Sequence, residues 1–194
     1  GNEVFDGGDG DDLLNGAAGG DILFGEADND TLQGGNGNDL IYGGDGNDNI
    51  HGQGGDDVIE AGPSNDTVIG GWQIVLPFPP LVDGDDFING GDGADVVYGD
   101  NFDPLLPPFF SINGGNDDLR GGDGNDTIYG QAGHDDIDGG PHDDSLHAGV
   151  GNDTAIGGTG DDLLVGDVGN DLMLGNGGSD SLDGGADHDI LVGG

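Results

Sequence analysis

Gly34-Gly35-Asn36-Gly37-Asn38-Asp39-Leu40-Ile41-Tyr42 is followed at once by Gly43-Gly44-Asp45-Gly46-Asn47-Asp48-Asn49-Ile50-His51. Both stretches have the form G-G-x-G-x-D-x-U-x, where U is apolar. The same nine-residue frame extends in both directions, with units starting at Gly7, Gly16, Gly25, Gly34, Gly43, Gly52, Ala61, Gly70, Gly90, Gly99, Gly121, Gly130, Gly139, Ala148, Gly157, Gly166, Gly175 and Gly184. The sixth position is Asp in all eighteen units: Asp12, Asp21, Asp30, Asp39, Asp48, Asp57, Asp66, Asp86, Asp95, Asp117, Asp126, Asp135, Asp144, Asp153, Asp162, Asp171, Asp180 and Asp189. The eighth is apolar in every unit, from Leu14 and Leu23 to Leu182 and Leu191. Asp is abundant in this chain, yet abundance alone does not hold it in one frame.

Each position has a physical job. Gly at one, two and four permits positive φ and close backbone approach, and a tight loop of that kind is expected to turn carbonyl oxygens inward. Asp at six adds a short, charged, oxygen-only ligand. Calcium takes six to eight oxygens in flexible geometry, and such a loop supplies them. Positions seven to nine are predicted as a very short strand, with position eight facing in and its neighbours facing out.

One nine-residue unit is too short to circle a core. Two units make a turn, with a strand on each side and a loop at each end, so odd and even repeats build opposite sheets. Calcium would lie between the loop of one repeat and that of the next repeat but one. The unit is the calcium-binding nonapeptide of parallel β-helices, and the chain resembles the RTX β-roll of secreted bacterial proteins. The resemblance implies an all-β, right-handed parallel β-roll of about nine turns. It also implies calcium held by the eighteen Asp carboxylates and by loop carbonyls, here those of Gly8, Gly10, Gly35, Gly37, Gly44, Gly46, Gly91, Gly93, Gly122, Gly124, Gly158 and Gly160. Carboxylates facing calcium are expected to titrate below their unfolded range.

Composition bounds the reading. One basic residue, Arg120, faces 41 acidic ones, for a formal charge of −40. A chain so charged and so poor in apolar residues is predicted to be disordered in plain water. Stacked loops leave roughly sixteen gaps in two columns, and divalent ions there would cancel about +32 of the charge. Nucleic acid is excluded as a partner because nothing basic is present to neutralise phosphates. No run of about twenty apolar residues suggests a membrane span. There is no cysteine, so metal takes the place of disulfides as a staple. The chain opens on the fourth position of a unit and closes on Gly193-Gly194, the start of another. The expectation is a single β-roll over 1–194, a segment of a longer array. The resemblance implies an extracellular location reached by type I secretion.

Two insertions break the period, at 72–82 and 102–113. Both are apolar and Pro-rich, and both lie in loops of even repeats, so they should leave the same edge on adjacent turns. Trp72, Phe78, Phe109 and Phe110 make them candidates for docking a partner, or for covering each other. The outer positions of even repeats are apolar near the start (Ile22, Phe24, Leu40, Tyr42) and the end (Ile156, Leu172, Leu174, Ile190, Val192). That face, with the insertions, is the candidate for self-assembly or contact with a neighbouring domain. Catalysis is not expected. The chain has neither an H-E-x-x-H nor a G-x-S-x-G motif, and His51, His134, His142, His147 and His188 are scattered over the repeat. The expected function is a calcium-binding, secreted structural segment, part of an S-layer, adhesin or filament. The alternative is the C-terminal secretion and folding module of an RTX enzyme or toxin.

Overall fold

A computed structural model describes residues 1–71, 84, 86–100 and 114–194. They form strands and turns without a helix. The strands, in chain order, are β1 (Val4–Asp9), β2 (Leu13–Ala18), β3 (Ile22–Ala27), β4 (Thr31–Asn36), β5 (Leu40–Asp45), β6 (Asn49–Gly54), β7 (Val58–Pro63), β8 (Thr67–Ile69), β9 (Phe87–Asp92) and β10 (Val96–Tyr98). After the second insertion come β11 (Asp118–Asp123), β12 (Thr127–Ala132), β13 (Asp136–Pro141), β14 (Ser145–Val150), β15 (Thr154–Thr159), β16 (Leu163–Val168), β17 (Leu172–Gly177), β18 (Ser181–Asp183) and β19 (Ile190–Val192).

Odd-numbered strands form one ten-stranded sheet in order, and even-numbered strands form a nine-stranded sheet. Every pairing is parallel, and residues in register come from repeats two apart, as in Leu23 with Ile41 and Ile41 with Ile59. This is an all-β parallel solenoid of about nine turns. The positions seven to nine predicted as a short strand are only its first half. Most strands run six residues, because the following Gly-Gly-x continues the ladder, as where Gly8 pairs with Glu26 and Gly35 with Gln53. Backbone amides pair whatever their side chains are, so glycine does not end the strand here.

Position-eight residues form one continuous core, including Leu23, Leu32, Ile41, Ile50, Ile59, Ile88, Leu119, Ile128, Leu146, Leu164 and Met173. Position one faces the same interior, two residues further along the strand. There the alanines of two repeats, Ala61 and Ala148, join the core. Glycine at position one in the other repeats serves closeness and not positive φ. A Cβ on Gly7 would meet the Asp12 carboxylate and the Gly25 carbonyl, both at 3.0 Å. Positive φ belongs to positions two and four, where even Ala17 (φ 72) and Glu26 (φ 81) adopt it.

The necks of the two insertions lie side by side. Gly70 N–H donates to the Tyr98 carbonyl and Gly71 N–H to that of Gly99, each at 2.9 Å. The steps from Asp57 to Asp86 and from Asp66 to Asp95 along the stack are 29 residues and those from Asp86 to Asp117 and from Asp95 to Asp126 are 31, against 18 in the regular turns. The excess is eleven residues, then thirteen, so the second insertion is 101–113, one residue longer than its sequence boundary. Trp72, Phe78, Phe109 and Phe110 lie outside the described residues.

Candidate calcium columns

Position six carries the chemistry. From Asp30 and Asp39 onward, each Asp there reaches back one turn and accepts the backbone N–H of the preceding Asp on its edge through Oδ1, and Asp21 accepts that of Glu3. Along one edge the steps run from Asp12 through Asp30, Asp48, Asp66, Asp95, Asp126, Asp144 and Asp162 to Asp180, at 2.8 to 3.2 Å. Along the other they run from Asp21 through Asp39, Asp57, Asp86, Asp117, Asp135 and Asp153 to Asp171 and Asp189, at 2.7 to 3.1 Å. All eighteen sequence candidates therefore stand in two continuous columns. Away from the two ends they are 1–3 % exposed.

The second carboxylate oxygen differs. Oδ2 of Asp21, Asp30, Asp39, Asp48, Asp57, Asp66, Asp95, Asp126, Asp135, Asp144, Asp153, Asp162, Asp171 and Asp180 is buried with no hydrogen-bond partner. Leaving a buried charged oxygen unpaired costs several kcal/mol unless something compensates. The carbonyls of positions two and four face the next turn on the same edge. The Ala17 carbonyl faces Gly35, and that of Gly19 faces Gly37. Main-chain oxygens of these two positions thus lie close against the turn above. Among the described residues no three Asp, Glu, His or Cys side chains converge on a metal-sized site. A cation in a gap would draw its remaining oxygens from main chain, which suits calcium and disfavours zinc.

Without a cation the electrostatics oppose the charged state. Burial pushes Asp57, Asp66 and Asp144 up to about 7 and Asp135 up to about 8, while the backbone N–H bond pulls each back. Asp95 and Asp153 rise to about 6 for the same reason. The expected lowering is therefore not a property of the protein alone. A divalent charge in the gap is what would reverse the direction.

A further ladder runs outside the carboxylates and was not read from the sequence. Position-five side chains accept the position-five N–H of the next turn. Asn29 receives Asn47, Asn47 receives Asn65 and Asn152 receives Asn170, at 2.9–3.0 Å. His134 belongs to it, its Nδ1 accepting Asn152 N–H at 2.8 Å. His142 pairs with Asp123 at 2.9 Å. The signal was an 18-residue recurrence of Asn and Asp at a position written as x. On the nine-stranded sheet's outer face, Tyr98, Tyr129 and His147 stack at centroid spacings of 4.9 Å. On the ten-stranded sheet Phe24 stacks on Tyr42 at 5.2 Å. Arg120 lies over the Phe87 ring at 5.0 Å and pairs with Asp118.

A parallel solenoid with a buried carboxylate column along each edge has the architecture of a β-roll. The chain belongs to the RTX calcium-binding nonapeptide repeat family, whose sequence profile matches residues 1–32, 25–59, 42–74, 83–106, 111–146, 138–173 and 165–194. No curated protein matches the chain. It is thus a calcium-binding RTX-type protein. Among the described residues no helix is long and apolar enough to cross a membrane.

Proposed function

We propose that this chain is a secreted structural segment that folds and stiffens when calcium fills the gaps of its two columns. The observation that supports this is the pair of carboxylate ladders, in which residues such as Asp66 and Asp153 have one oxygen bonded and the other buried without a hydrogen-bond partner. The eighteen position-six Asp residues serve as ligands, joined by carbonyls of positions two and four such as Gly35, Gly37, Gly44 and Gly46. Because the ligands form a site only in the folded stack, binding free energy becomes folding free energy. Affinity in the range of extracellular modules, roughly 10⁻⁴ to 10⁻³ M per site, leaves the chain unfolded in the cytosol and folds it outside the cell. That behaviour suits passage through a type I secretion channel. The product is a stiff rod, as in an S-layer, adhesin or filament, and catalysis lies outside it.

Small-angle scattering tests this reading. At submicromolar calcium the chain should scatter as an expanded coil, and at millimolar calcium as a narrow rod. Unchanged scattering between the two would remove the proposal. The insertions and the ten-stranded sheet's outer face are the assembly surface within it. Deleting 72–82 and 101–113 restores regular repeats, so calcium-driven folding should survive while assembly weakens.

A further inference from the structure

At the tenth repeat, position two is Asp100 and not glycine, immediately before the second insertion. Asp100 is 1 % exposed. Its Oδ1 accepts the N–H of Gly115, on the far bank of the insertion, at 3.0 Å. Its Oδ2 accepts the N–H of Ala132, one turn further along the same edge, also at 3.0 Å. Its main-chain carbonyl accepts Gln131 Nε2 at 3.2 Å. In regular turns the position-four N–H donates to the position-three carbonyl of the next turn, as Gly37 does to Gly54 and Gly133 to Val150. Gly115 holds position four of the tenth repeat, and its acceptor is the Asp100 carboxylate. The insertion has pulled the backbone out of register, and one side chain supplies acceptors for two N–H groups in its place.

We infer that Asp100 is the anchor of the second insertion, holding its neck through main-chain N–H groups and not as a calcium ligand. The inference rests on the calcium-folded reading above. Two converging N–H donors require two acceptors. Asn would present one acceptor and turn an NH₂ against the other N–H, and glycine would present none. Charge-assisted bonds of this kind are the strong ones. The first insertion is tied into the same base, since Gly71 donates to the carbonyl of Gly99, next to Asp100. Asp100 thereby ties the two banks of the second insertion to the next turn of a roll whose repeats are otherwise interchangeable.

Amide hydrogen exchange at saturating calcium, with bound calcium counted by equilibrium dialysis, tests the inference on the parent and on Asp100→Asn. In the parent, Gly115 and Ala132 should be protected. In the variant their exchange should rise about tenfold to a hundredfold, with Gly37 and Gly133 unmoved and the calcium count unchanged. Loss of one calcium in Asp100→Asn would show a ligand instead of an anchor and overturn the inference. Fast exchange at Gly115 and Ala132 in the loaded parent would overturn it without any variant, so a misfolded Asp100→Asn does not rescue it. A parent that binds no calcium would instead sink the calcium-folded reading itself.

Discussion

The Asp48 carboxylate accepts the backbone N–H of Asp30 at 2.8 Å, one full turn away, while its other oxygen is buried without a hydrogen-bond partner. One oxygen thus ties turn to turn, and in the proposed function the other is a ligand for the cation. Asp48→Asn separates the two tasks, because the amide keeps an acceptor for Asp30 and places an NH₂ where the cation would lie. Asp48→Ala removes both. Asn should lower the bound calcium and raise the calcium midpoint of folding, at a cost of about 1–3 kcal/mol. Ala should cost more, since it also orphans the Asp30 N–H. Equal calcium counts in the parent and Asp48→Asn would show that Oδ2 is no ligand.

The pH response should change sign with calcium. Without metal, the folded pKa of Asp57, Asp66 and Asp144 is raised to about 7 and that of Asp135 to about 8. A raised folded pKa stabilises the protonated fold. That contribution is fully present below the unfolded value near 4 and is lost as pH rises through about 6 to 8. In chelator, acidification from pH 8 toward 4 should therefore increase β structure. With calcium bound, protons compete with the ion, and acid should release calcium and weaken the fold. Circular dichroism across that range, with and without calcium, reads both trends. Parallel trends in the two solutions would contradict the coupling.

At Gly37, in position four, glycine is a packing requirement as well as a conformational one, although Asp28, Ser64, His142 and Asp187 hold the same position in other repeats. Gly37 has φ +124°, and a Cβ there would overlap the Gly19 carbonyl of the preceding turn. Gly8, at position two of the first repeat, has φ +91° and open space around it. Gly37→Ala should therefore destabilise the calcium-loaded roll by about 1–3 kcal/mol, and Gly8→Ala by less. Chemical denaturation at saturating calcium measures both. An equal effect would mean that stacking distance plays no part.

Tyr129 lies between Tyr98 and His147, with ring centroids 4.9 Å away on each side. Tyr129→Ala removes two stacked contacts from the outer face and touches no position-six Asp. It should cost about 1–3 kcal/mol of stability and leave the number of bound calcium ions unchanged. A lower calcium count would show that the outer face is coupled to the columns.

The columns were legible because period and chemistry coincide. Asp12 to Asp189 keep one frame, and two nine-residue units per turn place every second Asp on one edge. The inward line from Leu14 to Leu182 followed from alternation. Strand length did not follow, because glycine suggests a break while its amide still pairs, as Gly35 does with Gln53. Asn29, Asn47 and His134 were hidden because position five varies and its task needs only an acceptor. Asp100 was hidden because an insertion moves its partners Gly115 and Ala132 far along the chain.

The measurement closest to the central claim is a calcium titration that records bound calcium and far-UV circular dichroism on the same samples, starting from EGTA. The account predicts a coil spectrum in EGTA and a β signal that rises along the same curve as bound calcium, cooperatively and in the millimolar range. A full β spectrum in EGTA, or calcium binding complete before any β signal, would contradict it.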